Sequence, residues 1–270
     1  MRGTVYLVGA GPGDPELLTV KATRLLQTAE AVLYDDLVAP EILQLAPPTV
    51  RLHNVGKRCG KKKIRQEEIN FLMIALATAG LRVIRLKSGD PMMFGRAGEE
   101  IEALRQAEVP YEIVPGVTSA LAAAAAAAIP LTHRRISSAV IFLTAHQASE
   151  SEAAEWNRFA GSGSTLVIYM PGRDYGELSR RLRSAGLDEE TPCAILSRVC
   201  TARQQMYRTT IADLPNALSV ESPSLLVVGG VVGLSDFESP DTDSPASEWA
   251  RKLLPSLPDV SGGADRKIEE

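Results

Sequence analysis

The stretch VIRLKSGDPMMFGR, residues 83–96, decides how the chain is read. Val83, Ile84 and Leu86 suit a buried strand, and Ser88, Gly89, Asp90 and Pro91 stop it abruptly and set up a tight loop. A helix over 96–108 follows. Strand, turn and helix in succession are the unit of an α/β sheet, in which ligands sit beyond the carboxyl ends of the strands. Taken alone, the loop is either an ordinary connection or a place where something binds.

Toward the N-terminus the same grammar recurs. TVYLVG at 4–9 predicts a strand, and GAGPGDPELL carries it through a glycine turn into a helix starting near Asp14. Asp14 can cap that helix, Pro15 suits its first position, and Leu17, Leu18, Lys21, Ala22, Leu25 and Leu26 give its largely apolar stripe. The turn is not a dinucleotide fingerprint. The third glycine of G-x-G-x-x-G would fall on Asp14, whose charge repels a pyrophosphate, and Pro12 removes a backbone N–H that a pyrophosphate would use.

AVLYD at 31–35 predicts a second strand ending in Asp35 and Asp36, so Asp35 is either a cap or a carboxylate facing the ligand edge. A third strand spans 51–55, and after it Lys57, Arg58, Lys61, Lys62, Lys63 and Arg65 put six cations into nine positions. Such a run is either a solvated face or a site for an anion, and its place after a strand sets it over the same edge as the glycine turns. An amphipathic helix at 66–79, with Ile69, Leu72, Met73 and Leu76 inward, leads back to the opening stretch.

A strand at 109–114 and the junction Pro115, Gly116, Val117 precede Thr118 and Ser119, which can cap the alanine-rich helix running to Ala128. PLTHRR at 130–135 closes that helix with a second cationic cluster, with His133 read as a surface or turn histidine. From residue 138 a second domain begins, with strands at 139–144, 164–170, 191–196, 204–210 and 224–229 and a helix at 174–185. Its last strands leave room for hairpins, so a mixed sheet is expected there against a mostly parallel one before residue 115. The expected division is 1–115, 116–235 and a mobile tail over 236–270 with a short helix at 246–254.

Over 270 residues the chain is 45% hydrophobic and 23% charged, an ordinary globular balance, and its formal net charge of -4 speaks against nonspecific nucleic-acid binding. Cys59, Cys193 and Cys200 have neither zinc-site nor disulfide-framework spacing. No apolar run reaches the roughly 18 residues of a membrane span, and MRGTVYLVGAG lacks a signal-peptide core, so a cytoplasmic protein is expected.

Seven motifs in register, VGAGPGDPELLT, LYDDLV, VGKRCG with QEEIN, RLKSGDPMMFGR, VPGVTSA, IPLTHR and ESPSLLVVG, lie within a match running from Val5 to about Val232. Together they resemble the S-adenosylmethionine-dependent tetrapyrrole methylases, most closely the members acting on uroporphyrinogen III. The resemblance implies a homodimer of two-domain α/β subunits with the cofactor in the cleft between domains and no metal. It implies methyl transfer to two pyrrole carbons of uroporphyrinogen III, giving precorrin-2 by way of precorrin-1, for sirohaem or cobalamin. A later precorrin methylase and a non-catalytic tetrapyrrole binder are the alternatives.

By the same resemblance, Pro12, Ser88, Gly89, Asp90, Met93, Thr118, Ser119 and Met170 are cofactor-binding positions, with Val199 where Ala or Gly is usual at the adenine end. Asp35 falls on the proposed proton acceptor, Lys57 on the proposed donor, and Arg96 and Arg134 on positions near the tetrapyrrole. Ser88 replaces a usual Gly, Arg65 a usual Pro, and Ala145 the Gly of a T-G-H motif. By its length the resemblance implies the single-function form, with no leading domain expected. A sulfonium cofactor calls for acceptors, apolar walls and few lysines: Asp90 can accept from ribose or amino groups, and Met93 and Met170 give soft apolar contact. The clustered cations suit a polycarboxylate ring.

Overall fold

The first sheet is built from β1 (Val5–Gly9), β2 (Ala31–Tyr34), β3 (Arg51–Asn54), β4 (Val83–Lys87) and β5 (Tyr111–Val114). All pairs are parallel and the order is β3-β2-β4-β1-β5. The chain thus steps outward from β1 to one side, returns to place β4 beside it, and sets β5 on the other side. This reversal puts the carboxyl ends of β1, β4 and β5 at a switch point. This computed structural model describes residues 2–56, 64–145, 159 and 163–237.

Helices α1 (Val20–Gln27) and α2 (Pro40–Leu43) cover one face, where Ala22, Leu26 and Ile42 pack on Val8, Val32, Ile84 and Leu86. Helices α3 (Gln66–Thr78) and α4 (Ala97–Gln106) cover the other, with Ile69, Met73, Ala97, Ile101 and Leu104 against Val5, Leu7, Leu33 and Val83. Each of the larger side chains contributes about 1.5–3 kcal/mol by leaving water.

The second sheet, β6 (Val140–Thr144), β7 (Thr165–Tyr169), β8 (Pro192–Ser197), β9 (Gln205–Thr210) and β10 (Ser224–Val228), has the order β6-β7-β10-β8-β9. Only β6 and β7 run parallel, so the expected mixed sheet is present. Alternation divides its residues. Val167, Tyr169, Ala194, Leu196, Leu225 and Val227 meet α5 (Ser119–Ala126), while Leu166, Ile168, Cys193, Ile195 and Leu226 meet α6 (Tyr175–Ser184). Both sheets lie within one compact unit, Met1–Phe237.

The first helix differs from its sequence reading. Asp14 does accept from the Glu16 N–H at 2.8 Å, but it caps only a 3-10 turn, Pro15–Leu17. Leu18 is extended, and α1 starts afresh at Val20 with Thr19 as its cap. Pro15 and Asp14 together favour a tight first turn, and Thr19 offers a second hydroxyl cap a few residues later. The expected helix at 96–108 is Ala97–Gln106, and β5 begins at Tyr111 rather than 109. His133 occupies a tight turn, bridged to Ser137, as expected. The tail and its expected helix lie outside the described residues.

Candidate functional site

The carboxyl ends of β1, β4 and β5 meet where the chain carries no side chains. Gly11 and Gly89 exchange backbone hydrogen bonds of 3.1 and 2.7 Å, and the Ala10 N–H donates to the Lys87 carbonyl at 2.7 Å. A Cβ on Gly116 would lie 2.4 Å from the Gly89 carbonyl oxygen and 2.8 Å from Gly9 Cα. Three backbones approach here more closely than any side chain allows. Asp90 pins them together. Its Oδ1 accepts from the Met92 N–H at 2.8 Å and its Oδ2 from the Gly116 N–H at 3.0 Å. Each carboxylate oxygen therefore already serves the loop, and any contact with a ligand is added to that role.

The second sheet reaches this edge through Tyr169, the last residue of β7. Its hydroxyl lies 2.6 Å from Thr118 Oγ1 and accepts from the Ala120 N–H at 3.3 Å. The Tyr169 oxygen thus takes a free N–H of the first turn of α5. Thr118 occupies the cap position but makes no capping hydrogen bond, contrary to the sequence expectation, because its hydroxyl is turned to Tyr169. The Phe94 ring sits 4.8 Å from the Tyr169 ring, and Met93 packs on the same buried cluster as Val199. Phe94, Arg96 and Met170 have φ of 53°, 56° and 51°, left-handed conformations that cost non-glycine residues of order 1 kcal/mol each. Met170 is half exposed at 51%. Gly13 brings the first glycine turn against Thr201 and the Cys200 carbonyl.

Beneath the loop lies a charge cluster that the sequence reading did not contain. Arg85, Lys87 and Glu100 are 2%, 3% and 0% exposed. Glu100 Oε1 accepts from Arg85 Nε and from Lys87 Nζ, both at 3.0 Å, and from Gln66 Nε2 at 3.3 Å. Arg85 Nη2 donates to Asp35 Oδ1 at 2.7 Å, and Nη1 to the Leu86 carbonyl at 3.2 Å. Burial, then the adjacent Arg85 charge, pulls the Lys87 ammonium below its ordinary range despite Glu100. Burial also opposes the Arg85 charge, but Asp35 and Glu100 outweigh it and raise that guanidinium. The signal in the sequence was Glu100 on the inward stripe of α4, between Ala97, Ile101 and Leu104. Its partners stood one and three residues before the loop.

The structure brings Pro12, Ser88, Gly89, Asp90, Met93, Thr118, Ser119, Met170 and Val199 to the strand ends and the adjoining start of α5. Ser88 and Ser119 are half-buried, and their hydroxyls make no hydrogen bond among the described residues. Asp35 directly follows β2, with its side chain 31% exposed. Arg96 forms a two-pronged pair with Glu99, at 2.7 and 2.6 Å, which raises the guanidinium and lowers the carboxyl below their ordinary values. Arg134 is exposed. Lys57 and the cations through Lys63 lie outside the described residues. The expectation of few lysines nearby needs adjusting: Lys87 directly precedes the loop, with its charge turned to Glu100. Among the described residues no group of His, Cys, Asp and Glu could hold a metal ion.

Residues 4–215 match the family model of the tetrapyrrole (corrin/porphyrin) methylases. The uroporphyrin-III C-methyltransferase of Thermus thermophilus, solved with S-adenyl homocysteine, is 38% identical with a TM-score of 0.75, covering 86% of this chain and 100% of that one. A cobalt precorrin-4 methyltransferase is 31% identical with a TM-score of 0.75, over 85% of this chain and 95% of its own. Siroheme synthase 2 of Aeromonas hydrophila is 48% identical over 235 residues, 87% of this chain but 50% of that protein. The chain spans about half the length of the curated relatives it matches.

Proposed function

Because this chain belongs to the tetrapyrrole methylases, we propose that it transfers methyl groups from S-adenosylmethionine to two pyrrole carbons of uroporphyrinogen III, giving precorrin-2 by way of precorrin-1. The observation that carries the reading is the match along the whole of the Thermus uroporphyrin-III enzyme at 38% identity, against 31% for the precorrin-4 enzyme. Its products feed sirohaem or cobalamin synthesis.

The residues at the strand ends fit the cofactor. Ser88 and Ser119 offer free hydroxyls, Met93, Met170 and Val199 offer apolar walls, and the bare turns at Pro12 and Gly89 let a ligand approach backbone. Asp90 and Thr118 hold these walls in place. S-adenosylmethionine supplies an electrophilic methyl on a sulfonium. An electron-rich pyrrole carbon forms the new bond as the carbon–sulfur bond breaks, and a proton then leaves the ring. Alignment is the main task of the protein in such a displacement. Asp35 accepts that proton, and Lys57 is the donor that assists it. Arg96 and Arg134, with the cations that follow β3, hold the carboxylates of the ring. For the second transfer the monomethyl product rebinds turned over.

The same reading includes a division into two domains near residues 115–116, a homodimer, a cytoplasmic location and no nucleic-acid partner. It is supported by the family and by the acidic net charge of -4. No helix among the described residues is long and apolar enough to cross a membrane. Incubation of the full chain with labelled S-adenosylmethionine and fresh uroporphyrinogen III should give mono- and dimethylated products by mass spectrometry. Methylation of a precorrin but not of uroporphyrinogen III would replace this reading with the later methylase, and tight tetrapyrrole binding without turnover would replace it with a binder.

A further inference from the structure

The buried charge cluster is tied to the proposed chemistry at one atom, Asp35 Oδ1. We propose that Arg85 is the positioning residue for Asp35, with Glu100 as the anchor that fixes Arg85 and, through Lys87, ties it to the base of the Ser88–Met93 loop. This rests on the reading of Asp35 as proton acceptor.

All three guanidinium nitrogens of Arg85 are engaged: Nη2 with Asp35 at 2.7 Å, Nε with Glu100 at 3.0 Å and Nη1 with the Leu86 carbonyl at 3.2 Å. A planar fork held at three points has one orientation, and it transmits that orientation to whatever it grips. It grips one oxygen of Asp35. The other, Oδ2, makes no hydrogen bond among the described residues and is left for a proton. Burial makes the arrangement stiff. Glu100 is fully enclosed, and its Oε2 has no hydrogen-bond partner, so the carboxylate is retained for its charge toward Arg85 and Lys87 and not for a complete set of hydrogen bonds. Two anions and two cations balance, and this keeps Arg85, Lys87 and Glu100 tolerable away from water.

A lysine at position 85 would keep the charge but cannot span both carboxylates. In the full-length protein, Arg85→Lys should lower kcat by about tenfold or more, with the KM for S-adenosylmethionine and the affinity for S-adenosylhomocysteine within about twofold. A double-mutant cycle identifies the route. In an Asp35→Asn background, Arg85→Lys should change turnover by less than about twofold, because its target is already gone. Effects that multiply, or cofactor affinity lost in proportion to kcat, would overturn the proposal. If Arg85→Lys does not fold, Glu100→Asp, which keeps every charge but moves the anchor by one methylene, takes its place in the cycle with the same outcomes. Full activity of Asp35→Asn would defeat the proton-acceptor reading itself. A wild-type chain inactive on uroporphyrinogen III would defeat the substrate reading, and then crystals of Arg85→Lys still decide. Displacement of the Asp35 carboxylate supports positioning, and a carboxylate unmoved within about 0.5 Å refutes it.

Discussion

Gly116→Ala tests the claim that three backbones converge to make the site. The new Cβ would stand 2.4 Å from the Gly89 carbonyl oxygen, where ordinary contact begins at 3.4 Å, so that oxygen must retreat by about 1 Å. Gly9 Cα, at 2.8 Å, crowds the same Cβ, and both neighbours are backbone, which cannot rotate away. Retreat breaks the hydrogen bond from Gly116 N–H to Asp90 (3.0 Å) and strains the Gly11–Gly89 pair. Overpacking contributes about 1–3 kcal/mol and the lost charged hydrogen bond about 1.5–3 kcal/mol, so about 2.5–6 kcal/mol in all. At roughly 2–4 °C per kcal/mol the midpoint should fall by about 5–24 °C. The assay is thermal unfolding beside calorimetric titration with S-adenosylhomocysteine, whose affinity should fall at least about tenfold, since Ser88 and Gly89 move with the displaced loop. Gly98→Ala is the control. Nothing lies within 4 Å of its Cβ, and it sits in α4, so it should be neutral or stabilising by up to about 1 kcal/mol. A Gly116→Ala protein that melts within about 1 °C of wild type and binds the product equally well would refute the reasoning.

Tyr169→Phe keeps the ring against Phe94 but strands the Thr118 hydroxyl and the Ala120 N–H, so urea unfolding should show a loss of about 1–3 kcal/mol with an unchanged m-value. Glu100→Gln leaves Arg85 and Lys87 buried with Asp35 as the remaining countercharge, and should destabilise by about 3–5 kcal/mol in the same experiment. Burial pushes the Cys193 thiol from 9.0 up to about 12, so in the folded protein it should stay unreactive to a disulfide reagent at pH 8 and react only on unfolding. Between pH 9.0 and about 12 the unfolded thiol loses its proton and the folded one keeps it, so this stabilisation is complete below pH 9.0 and falls by up to about 1.4 kcal/mol per pH unit above it. Cys193→Ala should flatten that part of the pH–stability curve, measured by urea titration.

The strands and their burial were legible because each carries its own signal. Val83, Ile84 and Leu86 ended by Ser88 to Pro91 could be nothing but a strand meeting a turn. The hairpin spacing of the last strands likewise announced antiparallel pairing. The start of the first helix was not legible, since Asp14 and Thr19 both offer a cap and only the extended Leu18 between them shows that each serves a separate turn. Arg85, Lys87 and Glu100 escaped for a different reason. Charges within an apolar pattern read as surface residues until the partners that neutralise them are known.

By itself the sequence determined where the strands and the longer helices lie, where the glycine turns fall, and which family the motifs belong to, because all of these depend on neighbours along the chain. Tertiary structure decided what those turns are for. Only folding brings Gly9, Gly89 and Gly116 into backbone contact, sets the Tyr169 hydroxyl on Thr118 across 51 residues, and encloses Glu100 with two cations under Asp35. Close packing and charge pairing act between groups far apart in sequence, and their strength depends on distances that no local pattern contains.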